Sequence, residues 1–186
     1  MSLFPSWASG APIGARFGWQ DFADRGLVLP EVTDVAGGTA ILTNDASGTL
    51  TDGNSNVNAA TTLPGVTDLW NSSTNFLNFG DGGLRVNDYL TIRTDFVVTA
   101  AIVPLHPSLT FRFFSGPDGG GSEVFSLAKN LSIVSTGAGL AVPFLPETGF
   151  FIGESIASGS MRIELTVDVP VTVRVNGWNI QIHRRG

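Results

Sequence analysis

After about residue 84, apolar and polar positions alternate with a period of two over most of the chain. "LTIRTDFVVTA" places Leu90, Ile92, Phe96 and Val98 on one face and Arg93 and Asp95 on the other. "LTFRFF" repeats the pattern with Leu109, Phe111 and Phe113, and "MRIELTV" sets Met161, Ile163, Leu165 and Val167 against Arg162, Glu164 and Thr166. Successive side chains of a strand point to opposite faces, so each of these runs predicts a strand with one buried face. Shorter apolar runs occur in "GSEVFSL", "KNLSIVS", "GLAVPFL" and "GFFIGES". Gly or Pro separates nearly all of them, and no useful window keeps a 3.6-residue period. About eight to ten short strands spaced in this way predict an all-β fold, an antiparallel sandwich or barrel. Pro143 and Pro146 belong at an edge or corner, because proline has no N–H to give to a ladder.

The last sixteen residues, "VTVRVNGWNIQIHRRG", carry two alternating runs either side of Asn176-Gly177. Asn-Gly tolerates the positive φ that a two-residue type I′ turn requires. The expectation is a hairpin in which Val175 faces Trp178, Val173 faces Ile180 and Val171 faces Ile182. Arg184, Arg185 and Gly186 then leave the strand as a short polar end.

Residues 1–30 read as an N-terminal arm, with Gly, Pro and isolated aromatics but no sustained period. Disordered segments are depleted in aromatics, so the arm is expected to order, either against a neighbour, with Phe4, Trp7, Phe17 and Trp19 as candidate assembly contacts, or by packing on its own domain. Residues 31–186 form the second unit, the β-sandwich domain, without internal repeats. Within it "TNDASGTLTDGNSNVNAATTLPGVTD" has the composition of a long loop. Asp45 and Asp52 could meet a cation there, but the spacing is not that of an EF-hand.

Composition narrows the function. The net charge of -6 and pI near 4.7 argue against nucleic acid as a partner. Only 14% of residues are charged, against roughly 25% in typical globular chains. Mean hydropathy is nevertheless +0.22, which predicts surface hidden in an oligomer ahead of a large monomeric core. The absence of cysteine excludes disulfides, zinc-thiolate sites and thiol catalysis. No apolar run is long enough for a membrane span, and the first residues lack the pattern of a signal peptide. The expectation is a protein made in the cytoplasm.

Catalytic constellations are not apparent. His106 lies between prolines and His183 at a strand end, and neither neighbours a Gly-x-Ser-x-Gly elbow. Asp81, Asp88, Asp95, Glu123, Glu147, Glu154 and Glu164 are scattered over polar faces and turns, a poor basis for paired-carboxylate glycoside hydrolysis. "GPDGGGSE" has no following Lys-Ser/Thr or helix, so it reads as a hairpin tip and not a phosphate loop. The chain is expected to be no enzyme and to need no cofactor or metal.

"GVTDLWNSSTNFLNF", "IRTDFVVT" and "VNGWNIQIHRR" resemble small virion proteins of tailed bacteriophages over roughly Ala40–Arg184. Trp70, Arg93, Asp95 and the Asn176-Gly177-Trp178 turn carry the resemblance; Trp70 and Trp178 read as core or interface anchors. The resemblance implies a jelly-roll domain, often a homotrimer, serving as a capsid decoration (cement) protein bound to the major capsid protein. The alternative it leaves is a receptor-binding tip of a tail or head fibre, with a cell-surface glycan as partner. Either implies location in the virion.

Overall fold

The computed structural model describes residues 16–23, 32–44 and 63–184. These carry twelve β-strands: β1 Phe17–Ala23, β2 Val32–Val35, β3 Gly38–Ile41, β4 Trp70–Asn71, β5 Phe76–Asn78, β6 Tyr89–Ala100, β7 Ser108–Phe114, β8 Glu123–Asn130, β9 Ala141–Phe144, β10 Glu147–Phe151, β11 Ser160–Val167 and β12 Val171–His183. They form two six-stranded sheets, and all the pairings are antiparallel.

Several strands lie end to end along one neighbour. β2 and β1 share one edge of β12, β9 and β10 share one edge of β6, and β3 and β5 share one edge of β11. With each such pair taken as one row, the first row lies beside the last, the second beside the seventh, the third beside the sixth and the fourth beside the fifth. This nesting is a rolled-up antiparallel ribbon, and the fold is an all-β jelly-roll sandwich. One sheet (sheet A) runs β1/β2, β12, β6, β9/β10; the other (sheet B) runs β3/β5, β11, β7, β8, with β4 outside β5.

Between the sheets the alternating positions of the sequence interdigitate. Leu90, Ile92, Phe96 and Val98 of β6 meet Leu109, Phe111 and Phe113 of β7 and Met161, Ile163 and Leu165 of β11 in one apolar core, each at most 1% exposed. Pro143 lies in the edge strand β9 and Pro146 at the corner before β10, where neither interrupts a central ladder.

The Asn176-Gly177 hairpin does not form. β12 runs through these residues as one long strand beside β6, and Val173 pairs with Val98 and Ile180 with Ile92. Val175 pairs with Phe96 and Gly177 with Asp95, which leaves Asn176 as the extra residue of a β-bulge. The bulge shifts the alternation by one, so Val171, Val173 and Val175 before it and Trp178, Ile180 and Ile182 after it all face the core. Gly177 has φ 141°, a value that excludes most side chains. A two-residue turn and a one-residue bulge produce the same change of parity, and both favour Asn-Gly.

The bulge lies on a line that crosses the whole of sheet A. On one side of β12 the partner changes from β2 to β1 at this level, and on the far side of β6 it changes from β9 to β10. Residues 17–23, read above as part of the arm, form the edge strand β1. Its Gln20 and Phe22 are buried, and Gln20 donates to Thr67 O at 2.6 Å and accepts from Leu69 N at 3.0 Å.

Candidate functional site

Trp70 and Trp178, singled out in the sequence as anchors, meet in the core. Their rings are 5.6 Å apart, edge to face at 69°. The Trp70 indole donates to Asn44 O at 2.7 Å, and the Asn44 amide donates to Phe22 O at 2.8 Å. These residues therefore bind β1, β4 and β12 together. Asn176 donates from its side chain to Asp95 across the bulge at 2.8 Å. Phe17 and Trp19 lie on the outer face of sheet A, Phe17 exposed and Trp19 half-buried. Phe4, Trp7, Asp45 and Asp52 lie outside the described residues.

Of the carboxylates read as scattered surface charge, Asp88, Glu123 and Glu164 are held by arginines, and Asp88 and Glu164 are buried. Asp88 is buried under Arg184, which also donates to Pro64 O and Gly83 O. Arg184 is thus no free polar end. Glu164, on the outer face of β11, accepts from Arg112 and Arg162, both at 2.6 Å, and Arg112 also reaches Glu123 at 2.8 Å. This leaves Glu164 3% exposed although it belongs to the solvent side of its sheet.

Asp118, in the tip between β7 and β8, accepts from the Thr74 hydroxyl at 2.6 Å and from the Asn78 and Asn71 amides at 2.8 and 3.1 Å. The Thr74 and Asn78 hydrogen bonds hold its carboxyl below the usual value. His106 donates its backbone N–H to Asp168 at 2.9 Å and also meets that carboxylate through its ring Nδ1. The backbone N–H is the main cause that lowers the Asp168 pKa. Among the described residues, no three His, Asp or Glu side chains converge as metal ligands.

Two exposed surfaces stand out. The first is the side of the sandwich bounded by β8 and β9. β8 is the last strand of sheet B, and all its residues are exposed except half-buried Leu127. Phe125 stacks on Phe113 at 4.3 Å yet remains 37% exposed. The connection to β9 adds Ile133 at 59% and Leu140 at 64% exposure, and Leu145, just after β9, is 57% exposed. Ile133 and Leu145 line a groove of ≈ 540 Å³ between residues 129–136 and 142–146. A strand edge with apolar side chains is a template for pairing with another chain.

The second surface is a row of rings across the outer face of sheet A. Phe17, His183, Tyr89 and Phe151 are lateral partners on β1, β12, β6 and β10. Successive centroids lie 4.8, 6.2 and 4.8 Å apart. The alternation of β1 and β12 was too short or too polar to announce this row, and only the pairing of four distant strands assembles it.

No family model matches the chain, and no curated protein matches it. Among solved structures, that of infectious bursal disease virus Gx strain is similar at 12% identity over 92% of this chain and 32% of that chain, with TM-score 0.47. The VP2 subviral particle of infectious bursal disease virus is 14% identical over 91% of this chain and 32% of that chain, TM-score 0.44. The CBM22-1–GH10 modules of Clostridium thermocellum xylanase 10B, complexed with xylohexaose, are 11% identical over 89% of this chain and 28% of that chain, TM-score 0.36. The chain thus spans about a third of the length of the viral structures. Overlaps this loose carry no function across, and the sandwich fold stands on the strand pairing described above.

Proposed function

We propose that this chain is a virion structural protein, a bacteriophage capsid decoration protein that binds the head surface as a homotrimer and stabilises it. The observation that carries this reading is the side formed by β8, the connection after it and β9. There a strand edge that is unpaired among the described residues coincides with exposed Phe125, Ile133, Leu140 and Leu145. A cyclic oligomer would bury this side and leave the two sheet faces and the arm available to the shell. The phage-like phrases around Trp70, Arg93 and Trp178 support the virion assignment, and the low share of charged residues fits a chain with much of its surface in contacts. The major capsid protein is the partner that this role requires.

The test has two parts. Light scattering coupled to size exclusion measures the mass of the purified chain, and Leu140→Lys with Ile133→Lys places charge in the proposed contact. A trimer that becomes a folded monomer in the double variant supports the assembly surface; a monomeric wild type refutes it. Gold-labelled antibody on purified virions then locates the chain. Label over the head supports decoration. Label confined to the tail or fibre ends moves the assignment to a receptor-binding tip, the second reading, which the ring row on sheet A favours.

A further inference from the structure

We propose that the outer face of sheet A around Tyr89 binds a neutral oligosaccharide of β-linked, equatorially substituted pyranose rings. The inference deepens the second reading, the receptor-binding tip, by naming a ligand class; its test reads sugar binding on the purified chain, so it can fail or succeed separately from where the chain lies on the virion.

The ring row presents a strip of aromatic side chains across the outer face of sheet A, with Trp19 in the next row. Phe17 is 43% and Phe151 51% exposed, and Tyr89 lies between them in the row, beside His183. Tyr89 does not stand off the sheet. A Cβ at position 149 would collide with its hydroxyl and its ring, so the phenol lies over Gly149, the residue paired with Thr91 two positions along β6. A ring laid along a sheet in this way turns a face outward, and the His183 and Phe151 rings on either side are tilted against it by 53° and 51°. Aromatic faces attract the C–H-rich faces of sugars whose hydroxyls are all equatorial, through apolar contact and the ring quadrupole.

The polar half of such a ligand is matched as well. The next row of lateral partners is Trp19, Gln181, Thr91 and Gly149, and the one beyond is Asp21, Asn179, Arg93 and Glu147. Gln181 and Thr91, half-buried in the row next to the rings, carry an amide and a hydroxyl. The outer row mixes both signs of charge, so it gives no cationic field to select an acidic sugar. Three inter-strand spacings give the row a length of roughly 14 Å, enough for several consecutive rings of an extended chain. An apolar strip flanked by hydrogen-bonding groups is the complement of an amphipathic, extended sugar chain.

The experiment is titration of the full-length chain with cellohexaose, xylohexaose and chitohexaose, with maltohexaose as the α-linked control. It is followed by calorimetry and by amide chemical shifts. The expected result is saturable binding of at least one β-linked probe, with shifts at Tyr89, Thr91 and Gln181. Tyr89→Ala and Phe151→Ala should each weaken it about fivefold, the loss of one stacked ring, while Ile133→Ala leaves it unchanged. Phe151 is an exposed edge-strand residue, so its variant keeps the test decisive if Tyr89→Ala does not fold. No saturable binding of any β-linked probe at millimolar concentration overturns the proposal. So does binding that both aromatic variants retain, or a Phe151→Ala variant whose assembly mass changes while its sugar affinity does not.

Discussion

Arg184 and Asp88, 96 residues apart, form an ion pair at 3.0 Å with only 10% and 2% of their side chains exposed. The same guanidinium donates to Pro64 O at 3.2 Å and Gly83 O at 3.1 Å, while Asp88 also accepts from Arg85 N at 2.9 Å. One side chain thus fastens the end of β12 to two connections that have no strand of their own.

Removal of one partner from a buried pair strands the other charge, and this is worth about 3–5 kcal/mol. Arg184→Ala is therefore expected to lower stability by that amount in chemical denaturation. Arg184→Lys should recover little, because a single ammonium cannot reproduce the planar fork that reaches a carboxylate and two carbonyls together. A loss below about 0.5 kcal/mol for Arg184→Ala, the level of an ordinary surface change, would show that the clamp does not matter.

The bulge in β12 has a direct spectroscopic signature. Val173 and Ile180 are separated by roughly 23 Å along one strand, whereas Val173 faces Val98 and Ile180 faces Ile92. Cross-strand nuclear Overhauser effects are expected for Val173–Val98 and Ile180–Ile92. A Val173–Ile180 effect would restore the hairpin. Gly177→Val is expected to cost about 1–3 kcal/mol through strain at positive φ, but that loss fits turn and bulge equally, so stability alone does not distinguish them.

Asp118 should contribute to the pH dependence of stability. Its folded pKa lies below the ordinary carboxylate value because Thr74 and Asn78 donate to it. Its contribution is therefore fully present above the unfolded value, near 4, and is lost as pH falls through the folded value. Asp118→Asn is expected to lower stability at pH 7 and to flatten the acid limb of the curve. An unchanged acid limb would mean that the three donors do not hold the carboxylate in solution.

Two truncations separate strand from arm. Deletion of residues 1–26 removes β1, with buried Phe22 and the Gln20 hydrogen bonds to Thr67 and Leu69. The loss of Phe22 alone is worth about 3–5 kcal/mol, so this variant should be severely destabilised in thermal melting. Deletion of residues 1–15 leaves β1 whole. If Phe4 and Trp7 are assembly contacts, that variant folds and oligomerises but no longer cosediments with capsids. Unimpaired cosedimentation would exclude the two residues from the contact.

The central strands were legible because they are long and half-buried, and the alternation of Leu90 to Val98, Leu109 to Phe113 and Met161 to Val167 states which face each turns inward. β1 was not legible. Its inward residues are Gly18, Gln20 and Phe22, and a glycine and a glutamine do not read as a core face until Thr67 and Leu69 supply the partners of Gln20. Likewise Glu164 reads as a solvated charge, and only the approach of Arg112 and Arg162 from two strands covers it.

The candidate surfaces divide in the same way. The short apolar run "GSEVFSL" placed Phe125 on a strand, but exposure at β8 follows from its position as the last strand of sheet B, and the row Phe17–His183–Tyr89–Phe151 follows from the order of four strands distant in the chain. Sequence alone determined the all-β class, the inward faces and the change of parity at Asn176-Gly177. Tertiary pairing decided that this change is a bulge, because β6 is long enough to bind both halves of β12 side by side. A hairpin would have left one half without that ladder. Parity is a property of one strand; register and neighbourhood belong to pairs, and no single run of residues contains them.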